Sequence, residues 1–169
     1  MSHRSRHPAC LVGWLVIELS AVPATGRAAL NAWTAIGPRA GPAGDIAIDP
    51  STQTIYAVIE RKVFKSLDHG ATWAESSNGL PTSPEMAVVV DPITPSTVYV
   101  TSYPRGVFKS TDGGASWAAN NAGLPNTLVG ALAVDPHTAG TVYMSVSGAG
   151  LFRSTDGAAS WTPRWAASG

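Results

Sequence analysis

From Ile46 onward, short apolar runs alternate with clusters of turn-forming residues, and the alternation keeps a fixed beat. Ile46-Ala47-Ile48 stops at Asp49-Pro50, Val88-Val89-Val90 at Asp91-Pro92, and Leu132-Ala133-Val134 at Asp135-Pro136. A second run opens each time with an aliphatic-tyrosine pair: Ile55-Tyr56, Val98-Tyr99, Val142-Tyr143. A third carries Val63-Phe64-Lys65-Ser66, Val107-Phe108-Lys109-Ser110 and Leu151-Phe152-Arg153-Ser154. The fourth begins at Trp73, Trp117 or Trp161, and the first two copies fade into Asn78-Gly79-Leu80-Pro81 and Ala122-Gly123-Leu124-Pro125. The runs are short, rich in β-branched and aromatic residues, and punctuated by Gly, Pro, Asp and Asn, which predicts strands. No stretch shows the 3.6-residue period of an amphipathic helix. The first run of each unit is almost wholly apolar, the pattern of a strand covered on both faces. Proline then ends it, because it cannot donate to a ladder.

The period is about 44 residues. Self-similarity on that scale predicts a repeat architecture, and four strands per unit predict one propeller blade. The fold class is therefore all-β: blades of four antiparallel strands, in an incomplete ring or one completed by further copies of the chain. The expected blades are 44–81, 86–125 and 129–165. A short strand at Trp33-Thr34-Ala35-Ile36-Gly37, within a linker at 25–43, resembles an outer strand without a blade of its own.

Between the third and fourth strands lies an octapeptide: SLDHGATW at 66–73, STDGGASW at 110–117, STDGAASW at 154–161. Asp68, Asp112 and Asp156 suit a turn in which the carboxylate accepts backbone N–H groups a residue or two ahead. Gly70 and Gly114 suit a positive φ; Ala158 occupies that place in the third copy, at a strain of about 1 kcal/mol unless Gly157 absorbs it. Trp73, Trp117 and Trp161 are expected to bury their rings and anchor the outer strand.

The pattern S-x-D-x-G-x-[ST]-W, with "TVYV" and "GVFKS" before it, resembles the Asp-box, or bacterial neuraminidase repeat, of the sialidase-like propeller superfamily. The resemblance spans roughly 44–165 and implies a propeller. It marks Ser66, Asp68, Gly70, Trp73, Ser110, Asp112, Gly114, Trp117, Ser154, Asp156 and Trp161 as structural. Members include sialidases, other glycosidases, receptor domains and a photosystem assembly factor family. Sialidases combine an arginine cluster, a Tyr nucleophile with a Glu partner, and an early Arg-Ile-Pro motif. Arg-Ile-Pro is absent here, so no catalytic residue is assigned. After the leader, the candidate acids outside the repeat framework are Asp45, Glu60, Glu75 and Glu85. The resemblance also implies a functional cleft at the end opposite the octapeptide turns. That end is expected to carry Arg39, Glu60, Arg61, Lys62, Glu85, Tyr103 and Arg105. Arg61 and Arg105 occupy equivalent positions one unit apart and suit a carboxylate or sulfate. Lys65, Lys109 and Arg153 are read as long stems on the blade surface with their heads in water.

Composition narrows the rest. Eleven basic residues balance eleven acidic ones, so nucleic acid is not an expected partner. His3, His7, His69 and His137 have no zinc spacing, and no cofactor motif is present. Residues 1–24 resemble a secretory signal: Arg4 and Arg6, an apolar stretch from Ala9 to Ile17, then Val22-Pro23-Ala24. The stretch is too short for a membrane span, which needs about 20 apolar residues. Cys10 is the only cysteine, so the rest of the chain holds no disulfide. Together these features predict a secreted or periplasmic, non-catalytic binding or scaffold module. Its expected partner is an acidic glycan or a protein, with self-association to complete the ring. The alternatives are a piece of a sialidase-like or other propeller glycosidase, and a propeller-type assembly factor.

Overall fold

The computed structural model describes residues 43–83 and 85–165, excepting the side chains of Glu85 and Met86. The leader, Trp33–Gly37 and Arg39 lie outside the described residues. The first sheet holds β1 (Ala43–Ile48), β2 (Ile55–Ile59), β3 (Lys62–Ser66) and β4 (Ala74–Glu75). The second holds β5 (Glu85–Val90), β6 (Val98–Tyr103), β7 (Gly106–Ser110) and β8 (Ala118–Ala119). The third holds β9 (Val129–Val134), β10 (Val142–Val146), β11 (Gly150–Ser154) and β12 (Thr162–Trp165). Each sheet runs in chain order, and every paired strand is antiparallel. This is the four-strand blade the repeat predicts, three times over.

Alternation along the strand explains why the second strand of the middle blade is buried almost throughout. Successive side chains of β6 point to opposite faces. Val98 and Val100 join Tyr56, Val58 and Val63 of the first blade in one core, with Val88, Val90, Phe108 and Trp117. Tyr99, together with Val107 of β7, turns the other way and joins Val142, Met144, Val146, Phe152 and Trp161 of the third blade. The middle blade is thus buried on both faces. Val98, Val100 and Val107 are wholly buried, and each contributes about 1.5–3 kcal/mol by leaving water.

Two expectations need correction. The first strand of each unit is not the doubly covered one. All five residues of β2 are buried, whereas β1 is largely exposed, with Ile46 at 61% and Ile48 at 53%. Facing blades are the reason: Val88 and Val90 of β5, also a sheet edge, are buried against the first blade, whereas among the described residues no sheet covers the same face of Ile46 and Ile48. Gly157 also does not spare Ala158. Both sit in the left-handed region, at φ 68° and 67°, as do His69-Gly70 and Gly113-Gly114 in the earlier copies. The turn needs two consecutive positive φ values, so the third copy holds an alanine in a conformation that costs it about 1 kcal/mol.

Candidate functional site

The octapeptide turns close through one repeated set of bonds. Ser66 Oγ donates to Asp68 Oδ1 (2.8 Å) and accepts from Gly70 N (2.8 Å). Asp68 then accepts Thr72 N at Oδ1 (2.8 Å) and the Thr72 hydroxyl at Oδ2 (2.5 Å). Ser110, Asp112, Gly114 and Ser116 repeat this, as do Ser154, Asp156, Ala158 and Ser160. The carboxylate thus reaches four residues ahead, not one or two, because the paired left-handed residues fold the chain back over it. The bonds fall on the charged form and hold the carboxyls down. Asp68 drops to about 2, chiefly through the Thr72 hydroxyl, and Asp156 to about 2, chiefly through Ser160. Asp112 is lowered further, chiefly by Ser110. A carboxylate kept ionised by its own turn is a poor general acid. These aspartates brace the turn.

The same turns also dock on the preceding blade. Trp117 Nε1 donates to Ser76 O (2.8 Å), and Trp117 N to Asn78 O (3.0 Å). Trp161 repeats this on Asn120 O (2.9 Å) and Ala122 O (2.9 Å). A Cβ on Gly79 would meet Trp117 O at 2.3 Å, and one on Gly123 would meet Trp161 O at 2.4 Å, so glycine is required at both seams. In return, Lys65 Nζ reaches Gly113 O (2.9 Å), Tyr56 Oη reaches the same oxygen (3.1 Å), and Lys109 Nζ reaches Gly157 O (2.8 Å). The Lys65 and Lys109 heads are therefore bonded across the seam, contrary to the wet position expected of them. Burial pushes the Tyr56 and Tyr99 hydroxyls up to about 12, with nearby aspartates adding to it. Trp73 donates within its own turn, to Gly70 O at 3.0 Å.

The hairpins at the opposite end hold the candidate ligand residues. Glu60 and Arg61, both at positive φ, form the tip between β2 and β3. Lys62, which opens β3, is ion-paired to Glu75 at 2.7 Å. Tyr103 closes β6, and Arg105 sits on the following turn. That turn is braced from several sides. Thr127 Oγ1 donates to Pro104 O (2.8 Å), Asn121 Nδ2 to Arg105 O (3.4 Å), and Val107 N to Asn121 Oδ1 (2.8 Å). The Ser83 hydroxyl donates to Tyr103 O. A Cβ on Gly106 would meet Asn121 Oδ1 at 2.2 Å, so the brace depends on that glycine. Glu60, Arg61, Tyr103 and Arg105 are exposed, on hairpins of adjacent blades. Asp45, a candidate acid, instead links two blades: its Oδ2 accepts Val88 N at 2.9 Å. Sequence reasoning missed the brace from Asn121 and Thr127 and the seam carbonyls, since neither has a local signal. Among the described residues, no group of three His, Cys, Asp or Glu could hold a metal ion, and no helix is long and apolar enough to cross a membrane.

Solved structures with the same arrangement are propellers. A GH74 enzyme from Niastella koreensis matches with TM-score 0.61 at 25% identity, over 70% of this chain and 18% of its own. YCF48 bound to D1 peptide matches with TM-score 0.58 at 20% identity, over 75% of this chain and 41% of that one. The extracellular domain of a hybrid two-component system from B. thetaiotaomicron gives TM-score 0.60 at 15% identity, over 75% and 19%. The sheets are propeller blades. The chain spans about a fifth of the length of the first and last of these chains, and about two fifths of YCF48. No family model matches the chain, and no curated protein matches it significantly.

Proposed function

We propose that the chain is a non-catalytic, exported binding or scaffold module of the Asp-box type. It takes an anionic group, the carboxylate or sulfate of an acidic glycan or acidic peptide, on the hairpin end of its blades. The observation behind this is the pairing of exposed Arg61 and Arg105 on equivalent turns of adjacent blades, the second turn braced by Asn121, Thr127 and Ser83. A braced turn holds a guanidinium with less ordering cost on binding. YCF48, a propeller neighbour solved with a peptide, supports the use of such blades as a binding surface. Extracellular propeller neighbours accord with export. The test is a titration with heparin, polygalacturonate and a poly-glutamate peptide, for the parent chain and for Arg61→Ala/Arg105→Ala. Binding to at least one ligand, weakened tenfold or more in the double variant, supports the reading. Unchanged affinity in the variant, or no binding by the parent, ends it.

A second reading has one specific support, the similarity to GH74 enzymes, one of them a xyloglucanase. In it the chain supplies blades to a glycoside hydrolase. Release of reducing sugar from xyloglucan by the purified chain would favour that reading.

A further inference from the structure

The two internal seams define what a blade face looks like when it is waiting for its neighbour, and the third blade presents that face again. At each seam a basic side chain lies over a tyrosine ring and donates to the octapeptide turn of the next blade. Lys65 lies 5.7 Å from the Tyr56 centroid and bonds Gly113 O; Lys109 lies 5.8 Å from that of Tyr99 and bonds Gly157 O. In the third blade Arg153 lies 5.9 Å over Tyr143, and its Nε is buried with no hydrogen-bond partner among the described residues. A buried guanidinium nitrogen without a partner is costly. The aliphatic residue at the centre of this face is wholly buried in both seams, as Val63 and Val107. Its counterpart Leu151 is 38% exposed.

The first blade presents the matching surface. Val88, Val90 and Phe108 cover the first seam from the incoming side. Their counterparts by register are Ile46, Ile48 and Phe64, and both isoleucines are more than half exposed. The counterpart of Gly113 and Gly157, whose carbonyls accept the basic heads, is His69, in the same left-handed conformation at φ 58°.

We propose that these two faces dock on each other between copies of this chain. The outgoing face of the third blade (Tyr143, Leu151, Arg153) receives the octapeptide turn and the Ile46–Ile48 edge of the first blade of a second copy. Arg153 donates to the His69 carbonyl of that copy, as Lys65 and Lys109 do to Gly113 and Gly157 within one chain. The two surfaces differ, so the contact is heterologous and closes only as a ring. Two copies bring six sheets, three each, within the roughly four to eight blades of closed rings. This association deepens the scaffold reading above.

The experiment is light scattering on the size-separated full chain. The parent is expected at twice the 17.4 kDa protomer mass. Ile48→Asp and Leu151→Asp each place a charge on one face only, at a residue already in contact with water, and each is expected at the single-protomer mass with unchanged circular dichroism. An equimolar mixture of the two keeps one intact seam and is expected to recover a dimer. Should Leu151→Asp misfold, Arg153→Ala takes its place in the mixture, its own association weakened at least tenfold. A parent that stays at single-protomer mass at micromolar concentration overturns the proposal. So does a variant that still dimerises alone, which marks a face pairing with itself, or a mixture that stays monomeric. A monomeric chain that still binds anionic ligands through Arg61 and Arg105 loses this inference and leaves the proposed function standing.

Discussion

The basic residue before each octapeptide turn offers a controlled test of the seams, because the chain carries it in two bonded copies and one unbonded copy. The perturbation is Lys65→Met, Lys109→Met and Arg153→Met, each in the Ile48→Asp background, which keeps the copies apart. Methionine retains much of the apolar stem and removes only the charged donor. A hydrogen bond from a charged donor contributes about 1.5–3 kcal/mol, and a half-buried cation over an aromatic ring at least about 0.5–1 kcal/mol more. Gly113 O keeps the Tyr56 hydroxyl at 3.1 Å when Lys65 is lost, so Lys65→Met should cost about 1.5 kcal/mol, the low end. Gly157 O has no second side-chain donor among the described residues, so Lys109→Met should cost about 2–3 kcal/mol. Arg153 bonds no neighbouring blade and leaves a buried Nε unpaired, so Arg153→Met should leave stability unchanged or raise it. Urea unfolding followed by tryptophan fluorescence reads all three, since Trp117 and Trp161 sit at the seams. At a slope of about 2 kcal/mol/M, Lys109→Met lowers the midpoint by about 1–1.5 M. If all three variants match the parent, the heads are in water and the seams owe them nothing. If Arg153→Met costs as much as Lys109→Met, the basic residue acts within its own blade.

Glycine at the seams gives a second test. Gly123→Ala sets a Cβ 2.4 Å from Trp161 O at φ +85°, whereas Gly148→Ala, at φ +71°, meets nothing within 4 Å. Gly148→Ala should cost about 1–2 kcal/mol from backbone strain alone, and Gly123→Ala clearly more; equal thermal shifts would refute the close packing. Acid titration checks the turns. Asp68 and Asp156 have folded pKa values of about 2, below their unfolded values near 4. Their contribution is present above pH 4 and is lost as pH falls from 4 through 2, so the urea midpoint should drop in that window, less steeply in Asp156→Asn. A midpoint flat from pH 4 to 2 contradicts the bonding. At the alkaline end, Tyr56 and Tyr99 have folded values raised to about 12. Stability from these groups is complete below pH 10 and is lost as pH rises from 10 through 12. Absorbance at 295 nm should show two of the four tyrosines ionising late and together with unfolding; early ionisation of all four would disprove their burial.

The amino-acid sequence by itself determined the strands, their grouping in fours and the turn that closes each unit. Those features depend on neighbours within a few residues: the alternation along Val98–Tyr103, the prolines after Asp49, Asp91 and Asp135, and the hydroxyl and carboxylate of Ser110 and Asp112 two residues apart. Even there the period misled at the first strand, because an apolar run does not say whether another blade covers the face it offers. The hairpin residues were legible as exposed and charged, while the brace under Tyr103–Arg105 was not, since Asn121 reaches Arg105 from 16 residues away. What only the tertiary structure decided is the seam. Trp117 bonds a carbonyl 41 residues back, and Lys65 one 48 residues ahead. In sequence each of these side chains has a local alternative, burial of an indole in its own sheet or hydration of an ammonium. Two blades must already stand face to face before the distant carbonyl becomes the better partner, and no local pattern encodes that.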